Sequence, residues 1–522
     1  MDEARTRAAL LLALLLCSAG VHAEPDEEAL GKSQAYPVGA PPTWYTTPYR
    51  VGSWSALDRV GVPVRAVARG ADVMALPEAA APPAIRYRWR NIGYTLDDYL
   101  ERRRVTGLLI LKNGQVVAER YRYARTPDAR FLSFSMAKSV TSLLVGIALD
   151  KGLIASLDDP ASRYVKDLEG SAYGATTVRQ LLRMSSGIHF TERYDGNDDV
   201  AKLSRAITGA SGPRPLALLR TFNERAAPAG EKFAYATAET EVLGRVLTGA
   251  TGKTMAELTS EWLWKPMGAE RDAFWRVGAD GQEQAGGGFN ATLRDMARLG
   301  QLVLDGGRAH GQQLLPPAAV ASLRAGGDRA TFAKAGYGLL SGWSYKSMWW
   351  VSHDPHGAFA ARGVHGQTIW IDPKADMVIV RFASNPVAAN AASDPTSLPA
   401  YRAVAEHLMA NDPSPLLGSE WKIENLDGGG VIDNSHATLQ FLPGGRLAGS
   451  ATCNRILGSY TRSGGKLTIK PAGTTMMACP PALIDQERKL LDLLPKIRQF
   501  RMDANGALVL STADGRSIAA RR

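Results

Sequence analysis

Cysteine is scarce in this chain, with three in 522 residues, and Cys17 lies inside an apolar run near the start. A disulfide-dense scaffold and a cysteine-built metal cluster are excluded by that count. Dense basic runs are missing too. Net charge is +10, but Lys and Arg are scattered, which describes a solvated basic surface and not a nucleic-acid footprint. The one apolar stretch long enough to notice, residues 8–16, is too short to span a bilayer as a permanent helix, so no transmembrane anchor is expected. No HExxH occurs, and His353 and His356 stand in a Pro-containing loop with no third ligand nearby; no metal or other cofactor is implied.

What is present begins with a leader. Arg5 and Arg7, the apolar run and Val21-His22-Ala23 read as a secretory signal over residues 1–23, although Asp2 and Glu3 weaken its basic end. Leu16 stands before Cys17 where a lipobox wants a small residue, so the expectation is an exported, periplasmic or secreted protein without a lipid anchor. Cys453 and Cys479 would survive cleavage, and in an oxidising compartment a disulfide between them is favoured over two buried thiols.

Length suggests roughly two or three domains. Residues 24–90, rich in Pro, Ala and aromatics and without a sustained period, read as an extended arm with no assignable role. Residues 91–410 carry the mixed patterns of an α+β domain, in which an antiparallel sheet is flanked by helices with a helical subdomain beside it. Two apolar runs joined by Asn113-Gly114 read as a hairpin, and residues 136–151 read as a helix stopped by Gly152. Residues 286–307 read as a glycine-bracketed helix, and residues 359–384 as a strand pair turning near Asp372-Pro373. A linker is placed at residues 411–416. Residues 417–522 return to short strands interrupted by one amphipathic helix, as a separate small α+β domain.

The chemistry concentrates at Ser135-Met136-Ala137-Lys138. The Ser-x-x-Lys pattern alone is weak, since it recurs at Ser419-Glu420-Trp421-Lys422 and Ser463-Gly464-Gly465-Lys466. Only the first opens an apolar helix, where residues i and i+3 share a face and a free N–H and the dipole's positive end await an oxyanion. A serine hydroxyl needs a base, and a lysine with an ordinary pKa of about 10.4 must be pushed down to serve. Tyr235, in a turn before a helix, is a phenolic partner for the same proton. Gly363-Val364-His365-Gly366-Gln367-Thr368, entering a strand, would bring a second oxyanion N–H beside the nucleophile.

With those motifs quoted, residues 94–382 resemble the serine β-lactamase and penicillin-binding protein superfamily. Tyr235-x-Thr237 stands where class C enzymes have Tyr-x-Asn, and His365-Gly366-Gln367 replaces Lys-Thr-Gly. Those departures, with the GVHGQTIWIDP and TERYDG stretches, look most like the 6-aminohexanoate-dimer hydrolase branch, related to carboxylesterases. The resemblance implies a serine hydrolase with Ser135, Lys138 and Tyr235 catalytic. It places Tyr194, His365, Gln367 and Thr368 around the substrate and oxyanion, the second oxyanion N–H coming from Thr368. A small-molecule or peptide-like amide or ester is the implied substrate. β-Lactamase or D,D-peptidase activity is the alternative, disfavoured because the lysine that would receive a β-lactam carboxylate is absent. A non-catalytic envelope protein binding cell-wall peptides is the alternative of another class. Residues 417–522 resemble the META domain through Gly449 to Asn454, Gly458-Ser459-Tyr460 and the Thr474–Cys479 stretch; its partner is not specified by sequence.

Overall fold

The computed structural model describes residues 26–79, 82–89, 91–411, 416–417, 420–442, 445–463, 465–503 and 506–522. The expected leader, with Cys17, and most of the expected linker lie outside the described residues.

The strands that position the site are β1 (Val64–Val67), β2 (Val105–Lys112), β3 (Gln115–Tyr121), β4 (Phe131–Leu132), β5 (Ala273–Arg276), β6 (Phe289–Ala291), β7 (Ser344–Lys346), β8 (Trp349–Val351), β9 (Phe359–Gly363), β10 (Gln367–Asp372) and β11 (Met377–Ala383). The helices used below are α1 (Met136–Asp150), α2 (Thr237–Thr251), α3 (Leu293–Leu304), α4 (Asp394–Ala410) and α5 (Pro481–Leu493).

Seven strands form an antiparallel sheet in the order β7-β8-β9-β10-β11-β2-β3. Strands β2, β10 and β11 are buried at every position, which is why they read as near-continuous apolar runs instead of alternating ones. The β2–β3 turn uses Asn113 and Gly114 at φ 58° and 73°, the positive angles of a type I′ hairpin. Helix α3 lies on one face, close enough that a Cβ at Gly300 would come within 2.6 Å of Val378 Cγ1. Helix α4 covers the other face, where Tyr401 packs on Trp370 with ring centroids 5.4 Å apart.

A second, four-stranded sheet runs β1-β5-β6-β4. The arm is therefore part of the fold, since β1 pairs with β5 from Val64 opposite Arg276 to Val67 opposite Ala273. Nor is residues 286–307 one helix. Residues 289–291 pair with β5 and β4, and α3 starts only after Thr292, whose hydroxyl accepts the Asp295 N–H. The periodic signal there belonged to α3 alone; backbone pairing claimed the residues before it.

The C-terminal residues form a nine-stranded sheet whose first long strand, Trp421–Leu426, also pairs with the last, Ser517–Arg521, closing a barrel. Helix α5 joins Trp421, Leu439, Phe441 and Leu508 in a core of its own. Cys453 and Cys479 are bonded, with Cα atoms 6.4 Å apart.

Candidate active site

Strand β4 delivers the nucleophile. It pairs with β6, and Ser133 N–H still donates to Phe289 O at 2.9 Å. Phe134 then takes a left-handed φ of 44°, turning the chain so that Ser135 becomes the N-cap of α1 with its hydroxyl making no capping bond. A capping serine normally bonds its own helix; this one leaves Oγ free, half-buried, for another partner.

That partner is Lys138. One turn into α1 and 1% exposed, its ammonium donates to Ser135 Oγ at 3.0 Å and to Gly286 O at 2.6 Å. Burial pushes it down to about 8, against the pull of the Glu192 and Glu241 carboxylates, because a charge in a poorly solvated site is disfavoured. The Glu241 carboxylate on α2 accepts the Gly286 N–H at 2.8 Å, so one residue, Gly286, bonds both the buried acid and the lysine.

Tyr235 precedes α2 and closes the third side. Its ring stacks on Trp350 at 5.6 Å and lies 5.3 Å from Lys138 Nζ. Burial lifts its phenol well above the usual range, Glu192 adds to the rise, and a hydrogen bond with Ser135 opposes it. Ser135, Lys138 and Tyr235 thus converge on one point.

Glu192 went unread in the sequence. Its carboxylate accepts Thr237 N–H at 2.6 Å, Thr237 Oγ1–H at 2.8 Å and the Tyr194 hydroxyl at 2.8 Å. It therefore pins the start of α2 and brings negative charge toward Lys138. Tyr194, at φ 62° and 38% exposed, sits at the rim on a loop whose Arg193 and Tyr194 amides both bond Asp198.

Three expected site residues are placed elsewhere. Thr368 lies inside the sheet, paired with Arg362 on one side and Arg381 on the other; its backbone has no edge to offer an oxyanion. Gln367 is 2% exposed and spends its amide on Val364 O, Ala383 O and Ala383 N. His365 is 3% exposed, its Nδ1 on Asn385 O at 2.7 Å and its Nε2 on the Tyr45 hydroxyl at 2.5 Å. Since a carbonyl only accepts, Nδ1 carries the proton and Nε2 accepts from Tyr45. Burial pushes this imidazole down to about 4, so it stays neutral.

The strand edge that meets the nucleophile is β9. Its pairing with β8 stops at Ala360, leaving residues 361–363 without a neighbour on that side. A Cβ at Gly363 would stand 3.1 Å from Ser135 N and 2.6 Å from Ser133 O, so glycine keeps the space before the nucleophile's amide open. Ser352 N–H donates to Ala358 O; by strand alternation, residues 358, 360 and 362 turn their backbone groups the same way, toward β8. Arg362 is the one beyond β8's end.

Tyr45 went unread as well. It comes from the arm and packs against His365, Trp54 and Phe134, ring centroids 5.4, 5.3 and 6.2 Å away. The arm thus buttresses both the residue before the nucleophile and the loop after β9.

A half-buried serine on a helix N-terminus, a buried lysine one turn on and a tyrosine closing over both, on this α+β scaffold, define a serine hydrolase of the β-lactamase fold. The chain belongs to the Beta-lactamase family, whose pattern matches residues 94–399, and it carries a META domain over residues 414–522. It is 32% identical over 351 residues to the 6-aminohexanoate-dimer hydrolase of Paenarthrobacter ureafaciens, covering 66% of this chain and 88% of that one. The solved structure of a putative 6-aminohexanoate-dimer hydrolase from Bacillus anthracis is 28% identical, with a TM-score of 0.64 over 70% of this chain and 96% of that one.

Proposed function

We propose that the protein is an exported hydrolase that opens an amide or ester through an acyl-enzyme on Ser135, acting on linear substrates like those named for its relatives. The observation that carries this is the 3.0 Å contact between Lys138 Nζ and Ser135 Oγ, in a site that lowers the lysine to about 8. Neutral Lys138 takes the Ser135 proton as Oγ attacks the carbonyl carbon. The oxyanion forms against the N–H groups of Ser135 and Arg362. As the carbon–nitrogen or carbon–oxygen bond breaks, Tyr235 gives its proton to the leaving group and is reprotonated from Lys138. Water, deprotonated by the same pair, then releases the acyl group. Tyr194 lines the mouth and Glu192 holds it there.

A fluorophosphonate should add one covalent mass at Ser135, and Ser135→Ala should abolish the labelling; undiminished labelling of that variant refutes the mechanism. Linear amide oligomers and short nitrophenyl esters should be turned over far better than nitrocefin, and the reverse order would make the protein a β-lactamase. Export rests on the pattern of residues 1–23 and on the META domain, a module typical of envelope proteins. Mass spectrometry of protein recovered from the periplasm or medium should show a mature chain starting at Glu24.

A further inference from the structure

Among the described residues, Arg276 is a buried cation without an anion. It is 7% exposed at the end of β5, and among the described residues its guanidinium has one neighbour of note, the Trp44 ring at 5.4 Å. No carboxylate of the described residues holds it, and desolvation alone lowers it to about 10. Buried charges are ordinarily paired, because desolvation is repaid only by an opposite charge or by hydrogen bonds. Among the other buried arginines of this domain, Arg245 meets Asp280, Arg298 meets Asp295 and Arg362 meets Asp394, while Arg381 is held by hydrogen bonds to Gly366 O, Tyr99 and Ser397 and Arg50 by one to Asn385 O.

The backbone of Arg276 borders the strip that reaches the active-site lysine. Gly288 O accepts the Arg276 N–H, and Arg276 O accepts the Gln284 N–H. A Cβ at Gly288 would meet Gln284 Cβ at 2.9 Å and Arg276 Cβ at 3.1 Å, so both side chains flank that glycine. The Gln284 amide makes no hydrogen bond within the described residues and lies near Gly287, whose own Cβ position is 4.0 Å from the Phe134 carbonyl carbon. Two residues upstream, Gly286 O holds Lys138. The strip 286–288 therefore runs along the nucleophile with two uncommitted donors beside it, roofed by Trp44 from the arm.

We propose that Arg276 and Gln284 form a carboxylate-binding subsite, and that the preferred substrates are linear amides or esters bearing a free carboxylate. This rests on the hydrolase reading above and names its substrate class. The guanidinium fork matches a carboxylate with two parallel bonds, and the neutral glutamine amide adds a third donor without a second charge. The subsite lies along β5 and the Gly286–Gly288 strip.

The test measures binding on the Ser135→Ala protein, which separates the subsite from turnover. By calorimetry, hexanoate should bind at least tenfold tighter than hexanamide. Arg276→Met should erase that difference, and Arg276→Lys should keep part of it. Equal binding of acid and amide, or a preference surviving in Arg276→Met, overturns the proposal. Should Arg276→Met not fold, Arg276→Lys decides, because the charge is kept and the fork lost; an undiminished preference there also counts against the subsite. In the wild type, the kcat/KM ratio for an acid-terminated ester over its methyl-capped analogue should exceed ten and fall at least tenfold in Arg276→Met. Failed fluorophosphonate labelling would sink the hydrolase reading and leave the binding result standing.

Discussion

At the scale of single residues, the site works by setting one lysine's proton affinity. Lys138 is held near 8 by burial, with two carboxylates pulling it up. If neutral Lys138 is the base, kcat/KM should rise with pH through about 8 and level off above it, because the protonated form is inactive. Glu241→Gln keeps a hydrogen-bonding group facing Gly286 but removes a negative charge that favours the ammonium. The rising limb should move to lower pH; a limb that stays or moves up would show that Glu241 does not act on Lys138. A second residue-scale effect belongs to Tyr45. Tyr45→Phe leaves His365 Nε2 buried without a donor, which costs roughly 1–3 kcal/mol, and denaturant unfolding should show that loss. Ser135, Lys138 and Tyr235 were legible in sequence because helix spacing makes i and i+3 neighbours and a family motif lies over them. Glu192, Glu241 and Tyr45 were not. Their contacts cross 45 residues of sequence to Thr237 and Gly286 and 320 to His365, and no periodicity encodes a meeting at that distance.

At the scale of elements, the seating of α1 against the end of β9 makes the site. The sequence pointed to the right strand region but took the wrong edge. The GVHGQT stretch straddles the turn between β9 and β10, and pattern alone does not say which of two adjacent buried strands is unpaired. Thr368 was chosen for its place in a motif, yet β10 has a neighbour on each side, whereas β9 outruns β8. The helix pattern of residues 286–307 was overextended for a related reason: glycine brackets mark where a helix must stop, not that it fills the interval. Gly363→Ala tests the edge directly. Its φ of −125° suits alanine, so strain in the backbone is not the issue; the added Cβ would crowd Ser135 N and Ser133 O. Loss of one oxyanion donor typically costs about 10²–10³ in kcat, and a drop of that order is expected, together with a lowered melting temperature because the new Cβ would meet the Ser133 backbone oxygen at 2.6 Å. Full activity would mean that the oxyanion is held elsewhere.

At the scale of the whole molecule, the two domains stabilise themselves separately. The apolar core that packs α1, α2 and α3 on the seven-stranded sheet shares no residue with the one inside the C-terminal barrel, and separate cores unfold as separate cooperative units. In the sequence the same division is read from the change of composition near residue 411 and the short strands with turns that follow it. The single disulfide falls wholly within the barrel, closing a loop across a sequence separation of 26. Chain entropy for a loop of that length gives roughly 3 kcal/mol. Dithiothreitol should therefore lower the barrel's unfolding transition by that order while the hydrolase transition stays where it was. Ser135 labelling by a fluorophosphonate should be unchanged in the same sample, because no bond of the nucleophile, the lysine or the β9 edge depends on the barrel's sulfurs. If reduction slowed labelling, the barrel would have to support the active site, and two independent folding units would be the wrong description of this chain.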